Sequence, residues 1–168
     1  HEPQALIMGK LVTLKELVHI RKNMKTSGKR VVFTNGCFDL LHRGQVEYLS
    51  NAKALGDVLR VGINSDESVK RIKGEGRPIV EEDDRAHVIA ALASVDYVCL
   101  FGEDTPREII AQLVPDILVK GADWPLEKVV GREVVEAAGG SVKTLEFLPH
   151  RSTSRIIQKI SRATALHQ

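Results

Sequence analysis

Arg30-Val31-Val32-Phe33-Thr34-Asn35-Gly36-Cys37-Phe38-Asp39-Leu40-Leu41-His42-Arg43-Gly44-Gln45 is the stretch whose reading decides the fold. Its first five residues form a short β-rich run without polar alternation, the pattern of a strand buried on both faces of a parallel sheet. Asn35-Gly36 then turns the chain. A helix is expected from about Gly44 to Leu55, with Val46, Leu49 and Ala52 at helical spacing and Gly56 past its end. His42 and Gln45 frame a glycine at that helix start. A helix N-terminus presents free backbone N–H groups and partial positive charge, so it suits a phosphate, and Gly36 permits close backbone approach to a ligand.

The same alternation continues in both directions. Upstream, a helix is predicted over Leu14 to Thr26: Thr13 and Glu16 make a capping box, and Leu14, Leu17, Val18 and Met24 form the apolar stripe. Downstream strands are predicted over Val58 to Ile63, Tyr97 to Phe101, Asp116 to Lys120 and Val142 to Phe147. Between them lie helices over Asp66 to Lys73, Glu82 to Ala93 and Arg132 to Ala138. Another is expected to open at Thr105-Pro106 with Thr105 as its cap, and a last one near Ser152 to Ser154. Strands alternating with helices predict an α/β chain: a Rossmann-like five-stranded parallel sheet with helices on both faces. Such sheets bind ligands beyond the carboxyl ends of their strands, so functional residues are expected just after strands one, two, four and five.

Composition narrows the function. The chain has 168 residues, which suits one domain over residues 11–168, with 1–10 expected to be a disordered N-terminus or expression remnant and Met8 an original start. Lys plus Arg is 24 and Asp plus Glu is 22, a net charge of +2. That balance argues against a bulk electrostatic nucleic-acid binder, and 4% aromatics leave little for base stacking. No apolar run approaches the ~20 residues of a membrane helix, and no signal-peptide pattern opens the chain. Two cysteines, Cys37 and Cys99, are too few for a disulfide framework and suit a reducing cytoplasm. The run Glu81-Glu82-Asp83-Asp84 reads as a helix start complementing its dipole, not as a metal site. A cytoplasmic enzyme of small molecules is expected, without nucleic acid, membrane or a dedicated protein metal site.

Four ordered segments carry a resemblance. Asn35 to Gln45 resembles the H-x-G-H region of the nucleotidyltransferase superfamily. Lys73-Gly74-Glu75-Gly76-Arg77-Pro78 with Arg85 resembles its mid-chain basic segment. Val119-Lys120-Gly121-Ala122-Asp123-Trp124 resembles the loop that meets the base, and Ser152-Thr153-Ser154-Arg155-Ile156-Ile157 the C-terminal helix start. The whole, over roughly Leu11 to Ile160, is most similar to the heptose 1-phosphate adenylyltransferases found in ADP-heptose synthases. The resemblance implies that a sugar 1-phosphate attacks the α-phosphate of ATP and pyrophosphate leaves, with Mg²⁺ accompanying the triphosphate. It implies catalytic roles for His42, Gln45 and Lys73. Nucleotide contacts would come from Thr34, Asn35, Gly36, Cys37, Phe38, Asp39, Gly44, Lys120, Gly121, Asp123, Trp124, Ser152, Thr153 and Ser154. Arg77, Arg85 and Arg151 are candidates for substrate phosphate. Asp39 equally reads as a loop cap, Trp124 as a packing aromatic, and the three hydroxyls as ordinary N-caps. A phosphate is already an anionic nucleophile, so the reaction needs positioning and charge stabilisation more than covalent help.

Two positions depart from the family pattern. Gln45 stands where the second histidine is expected; its amide donates a hydrogen bond but never becomes cationic. Slow turnover is the expectation. Arg60 interrupts Val58-Leu59-Arg60-Val61-Gly62-Ile63, where an aliphatic residue is usual. A buried charge is costly unless paired, so Arg60 is expected to face an open surface, a carboxylate or a partner chain. Rival readings are a cytidylyltransferase of a polyol phosphate such as glycerol 3-phosphate, and a nucleotide-binding protein with impaired catalysis. Relatives are often dimers, so a homo-oligomer is expected.

Overall fold

A computed structural model of the chain describes residues 10–167, and the expectation for the segment 1–9 lies outside them. Five strands alternate with helices: β1 (Val31–Gly36), β2 (Val58–Asn64), β3 (Tyr97–Phe101), β4 (Ile117–Gly121) and β5 (Ser141–Leu145). They form one parallel sheet in the order β3-β2-β1-β4-β5. The expected Rossmann-like architecture is present. The chain steps outward from β1 to β3, then returns to add β4 on the other side of β1. The crevice between the carboxyl ends of β1 and β4 is therefore the topological switch point.

Both faces are covered, which is why the central strands read as unbroken apolar runs. One face packs against α2 (Arg43–Lys53) and α4 (Glu82–Ala90) through Tyr48, Leu49, Ala52, Ala86, Ile89 and Ala90. The other packs against α1 (Leu14–Thr26), α5 (Arg107–Leu113) and α6 (Arg132–Ala137) through Leu17, Ile109, Ile110, Leu113 and Val135. The predicted capping box of α1 is formed: Glu16 N donates to Thr13 Oγ1 at 3.2 Å and Thr13 N to Glu16 Oε2 at 3.0 Å. Two further helices stand among the described residues, α3 (Asp66–Lys73) and α7 (Thr153–Ala165), with a 3-10 turn at Leu126–Lys128. None of the described helices is long and apolar enough to cross a membrane.

Three local expectations are corrected. Asn35-Gly36 does not turn the chain but extends β1, paired with Gly62 and Ile63. The sheet's hydrogen-bond ladder outlasts the local turn signal, and the chain leaves it at Cys37. Strand five ends at Leu145, short of Phe147. Thr105 does not cap α5; Pro106 is the flanking residue and no side chain caps the helix.

Arg60 is the largest surprise of the interior. It pairs in register with Phe33 on one side and Tyr97 on the other, pointing toward the face under α1. It is 0% exposed, and Nε, Nη1 and Nη2 all lack a hydrogen-bond partner. Neither the open face nor the paired carboxylate expected from sequence is there. The nearby Arg21 takes the acid instead: its Nη2 lies 3.1 Å from Asp116 Oδ1 and donates to Val114 O at 3.2 Å. Burial first, and then the charge of Arg21, pull the Arg60 pKa down to about 10.

Candidate active site

A cavity of about 630 Å³ opens beyond the carboxyl ends of β1 and β4, at the switch point. That volume is within the ~300–1,000 Å³ usual for small-molecule sites. It gathers nearly all the residues singled out from sequence: Asn35 to Asp39, His42 and Gln45 from the end of β1 to the first turn of α2, Lys73 and Arg77 at and after the end of α3, Lys120, Gly121, Asp123 and Trp124 at and after the end of β4, and Arg151 to Ser154 at the start of α7.

The β1 side presents a helix start to the cavity. His42 is the extended N-cap of α2, and Gly44 sits in its first turn. A Cβ on Gly44 would stand 3.0 Å from the His42 ring and 3.5 Å from Arg151 Cβ, so only glycine leaves the helix start bare. His42 Nδ1 is buried with no partner, and burial lowers the imidazole pKa, which keeps it neutral at pH 7. Gln45 Oε1 accepts the His42 backbone N–H at 3.3 Å, a long bond that leaves the Gln45 amide N–H₂ as a neutral donor at the cavity wall. Phe38 is held at φ +48, a left-handed conformation costly for an aromatic residue, and its ring packs over Gly36.

The β4 side is aromatic and cationic. Lys120 Nζ lies 5.8 Å from the centre of the Trp124 ring, and burial lowers its pKa against the opposing pull of Asp123. Gly121 has no room for a side chain: a Cβ would collide with Phe147 and stand 2.6 Å from Asp123 Oδ1. Phe147 in turn stacks on Tyr48, with ring centres 4.8 Å apart. The third wall is the start of α7. Ser152 Oγ accepts from Arg155 N at 3.1 Å, and Thr153 Oγ1 donates to Leu40 O at 2.9 Å, so α7 is pinned to the loop that leads into α2.

Several expected contacts are replaced by structural duties. Thr34 does not reach the cavity: it is fully buried, its hydroxyl donating to Val119 O at 3.0 Å and meeting Tyr48 Oη at 2.8 Å. The bond to Val119 ties β1 to β4, and burial pushes the Tyr48 pKa up to about 12 against the opposing effect of the Thr34 hydroxyl. Arg85 does not reach it either. Its guanidinium is 0% exposed and donates to Val80 O, Cys37 O, Asn64 O and Asp66 Oδ1, all at 2.7–2.8 Å. It fixes the backbone at the cavity floor. The Asp39 carboxylate borders the cavity but is 1% exposed and committed to the loop after α3. It accepts from Arg77 Nε at 2.8 Å, Ile79 N at 2.9 Å and Val80 N at 2.9 Å. Both duties involve partners some 20 to 50 residues away in sequence, which local patterns do not reveal.

Burial pushes the Asp39 carboxyl up, but the Ile79 and Val80 amides and the Arg77 guanidinium outweigh it and hold the pKa below the ordinary value. A depressed carboxylate contributes stability that is full above the unfolded value of ~3.9 and is lost as pH falls through the folded one. Asp39→Asn is therefore expected to flatten the loss of stability on acidification below about pH 5. Urea unfolding at several pH values measures this; identical pH slopes for the two proteins contradict the assignment.

Sequence reasoning missed one wall entirely. Asp104, Thr105 and Pro106 follow β3 and line the cavity, with Asn64, Ile72 and Lys128 nearby. Thr105-Pro106 carries a helix-start signal, which masked its position at the carboxyl end of a strand.

A three-layer α/β sheet with two helix starts and a glycine-floored crevice meeting at its switch point defines a nucleotide-binding fold of the nucleotidyltransferase type. The chain matches the family described as cytidylyltransferase-like over residues 33–159, and it belongs to that family. It is 59% identical over 152 residues to the bifunctional protein HldE of Citrifermentans bemidjiense, and 53% identical over 155 residues to HldE of Geobacter sulfurreducens. Those matches cover 90% and 92% of this chain but 31% and 32% of the relatives, so the chain spans about a third of their length. Among solved structures it resembles a lipopolysaccharide core biosynthesis protein from Thermoplasma volcanium. The TM-score is 0.60 at 31% identity, covering 74% of this chain and all of that one. Pantoate-beta-alanine ligase from Francisella tularensis shares the fold, with a TM-score of 0.61 at 13% identity over 86% of this chain and 68% of that one.

Proposed function

We propose that this domain transfers the adenylyl group of ATP to D-glycero-β-D-manno-heptose 1-phosphate, giving ADP-heptose and pyrophosphate for lipopolysaccharide or related surface-glycan precursors. The observation that carries the reading is the convergence of the α2 and α7 starts on one cavity, in a chain 59% identical to an HldE protein over nearly its whole length. A phosphate oxygen of the sugar attacks the α-phosphorus of ATP. The new P–O bond forms as the bond to the β-phosphate breaks, and pyrophosphate leaves with that electron pair. The helix starts at Gly44 and Ser152 to Ser154 hold the triphosphate, and His42 and Gln45 donate to it. Lys73, exposed at the end of α3 and followed by Gly74 at φ +97, neutralises charge on the phosphates. The base lies toward Lys120, Asp123 and Trp124.

Among the described residues no three His, Cys, Asp or Glu side chains gather as a metal cage. Mg²⁺ fits this site as the counter-ion of the nucleotide, held by phosphates and water. The reading also takes the enzyme to be cytoplasmic, where ATP is supplied, and homo-oligomeric. Pyrophosphate release with ATP or CTP, each with heptose 1-phosphate or glycerol 3-phosphate, tests the assignment. Release only with ATP plus the heptose phosphate is expected. Faster release with CTP and glycerol 3-phosphate would establish the polyol cytidylyltransferase reading instead, and tight ATP binding without release under any pairing would favour a nucleotide sensor.

A further inference from the structure

We propose that Arg151 grips the β- and γ-phosphates of the bound nucleotide and supplies the full positive charge that the start of α2 lacks in this chain. The inference rests on the reading of ATP as the donor substrate. At the α2 start the side chains lining the cavity, among the described residues, are His42 and Gln45. Burial disfavours the charged form of the His42 imidazole, and Gln45 has no charge to give. The helix dipole adds only a fractional charge of about +0.5. A triphosphate whose departing half gains negative charge calls for a full cation there.

Arg151 is placed to be that cation. His150 adopts φ +64, a left-handed turn that delivers the next residue to the cavity. The Arg151 stem then passes beside the bare face of Gly44, close enough that a Cβ there would be 3.5 Å from Arg151 Cβ. The following residues are anchored by the bond from Thr153 Oγ1 to Leu40 O, so Arg151 is held near α2 rather than swinging free of it. Its Nη1 donates to Pro149 O at 3.0 Å, and among the described residues no carboxylate lies within ion-pairing distance. The remaining guanidinium donors are open, and a planar fork matches two phosphate oxygens. Of the other candidate arginines, Arg85 is spent on Asp66 and three carbonyls, and Arg77 is tied through Nε to Asp39 on the α3 side of the cavity. Lys120 stands across the cavity over Trp124.

Calorimetric titration with Mg-ATP and with AMP, which lacks the β- and γ-phosphates, tests this on the wild-type chain, Arg151→Ala, Arg151→Lys and the double variant Gln45→His/Arg151→Ala. Arg151→Ala is expected to weaken ATP at least about ten-fold while AMP changes by less than about two-fold, as for a lost charge-assisted bond to phosphate. Arg151→Lys is expected to recover part of the loss, and the double variant to bind ATP more tightly than Arg151→Ala. Unchanged ATP affinity in Arg151→Ala would overturn the proposal, as would equal weakening of ATP and AMP. A double variant no tighter than Arg151→Ala would overturn the substitution for position 45. None of these readouts involves a sugar, so a wrong acceptor shows separately, as wild-type protein that discriminates ATP from AMP but forms no ADP-heptose.

Discussion

Gln45→His is expected to raise kcat for adenylyl transfer well over ten-fold, on the scale of ~10²–10³ by which a single well-aimed donor changes rates. The geometry explains why the gain reaches kcat. Gln45 lies in the first turn of α2 with its carbonyl oxygen turned back to the His42 N–H at 3.3 Å, so the cavity receives a neutral amide. A histidine there offers a ring N–H that takes a full charge as the triphosphate enters, and a charge-assisted bond is roughly twice as strong as a neutral one. That extra strength is felt by the bound triphosphate and grows where charge develops, on the departing pyrophosphate, so it tightens ATP binding and lowers the barrier further still. The lost capping bond is long and costs the helix at most about 1 kcal/mol. Arg151 already supplies charge nearby, so the gain is larger still in an Arg151→Ala background. The variant should also acquire a pH dependence: its kcat declines as pH rises through the range where the new imidazolium loses its proton, near ~6.5 or somewhat above. The wild-type chain has no such titration at position 45. Steady-state rates across pH measure both effects; an unchanged kcat at neutral pH would sink the idea.

How much of this was legible beforehand depends on the range of the interaction concerned. The βα unit of Arg30 to Gln45 was legible because strand, glycine and helix start are local signals, and the switch point follows from the βα alternation. His42, Gln45, Lys120 and Ser152 to Ser154 all line one cavity, while Gly44 lies buried beneath it in the first turn of α2. Arg85 reads as a phosphate contact from sequence for one reason. A charged residue in a loop or at a helix start looks the same in sequence whether it meets a ligand or a carbonyl 48 positions away, as Arg85 meets Cys37 O. Thr34 hid its role in the same way, since a hydroxyl that bonds β4 and Tyr48 is invisible until the two strands are adjacent. Asn35-Gly36 shows the opposite failure. The local turn signal was real, but the ladder to Gly62 and Ile63 overrode it and carried β1 two residues nearer the ligand.

Arg60→Met should stabilise the fold by about 2–4 kcal/mol, because an unpaired guanidinium in a strand interior is among the costliest groups a sheet can hold. All three of its nitrogens are buried without a partner. The one acid nearby, Asp116, is already engaged: Oδ1 with Arg21, and Oδ2 accepting from Val31 N at 2.7 Å. Arg60 therefore meets desolvation and the like charge of Arg21 together, the two main causes that draw its pKa down to about 10. Methionine suits the space because it is unbranched and nearly as long, so it fills the channel under α1 with little cavity penalty. Removing the charge also relieves Arg21, whose Nη1 is itself buried without a partner. For a domain of this size such a gain raises the melting temperature by roughly 5–15 °C. Arg60→Ala should gain less, because the void it leaves offsets part of the relief. The site should be untouched, since Arg60 occupies the first half of β2 and does not border the cavity at the carboxyl ends. Thermal and urea unfolding of both variants, with ATP binding as the control, decides the matter. A methionine variant that melts lower than the wild-type chain would mean that Arg60 has a stabilising partner in β2.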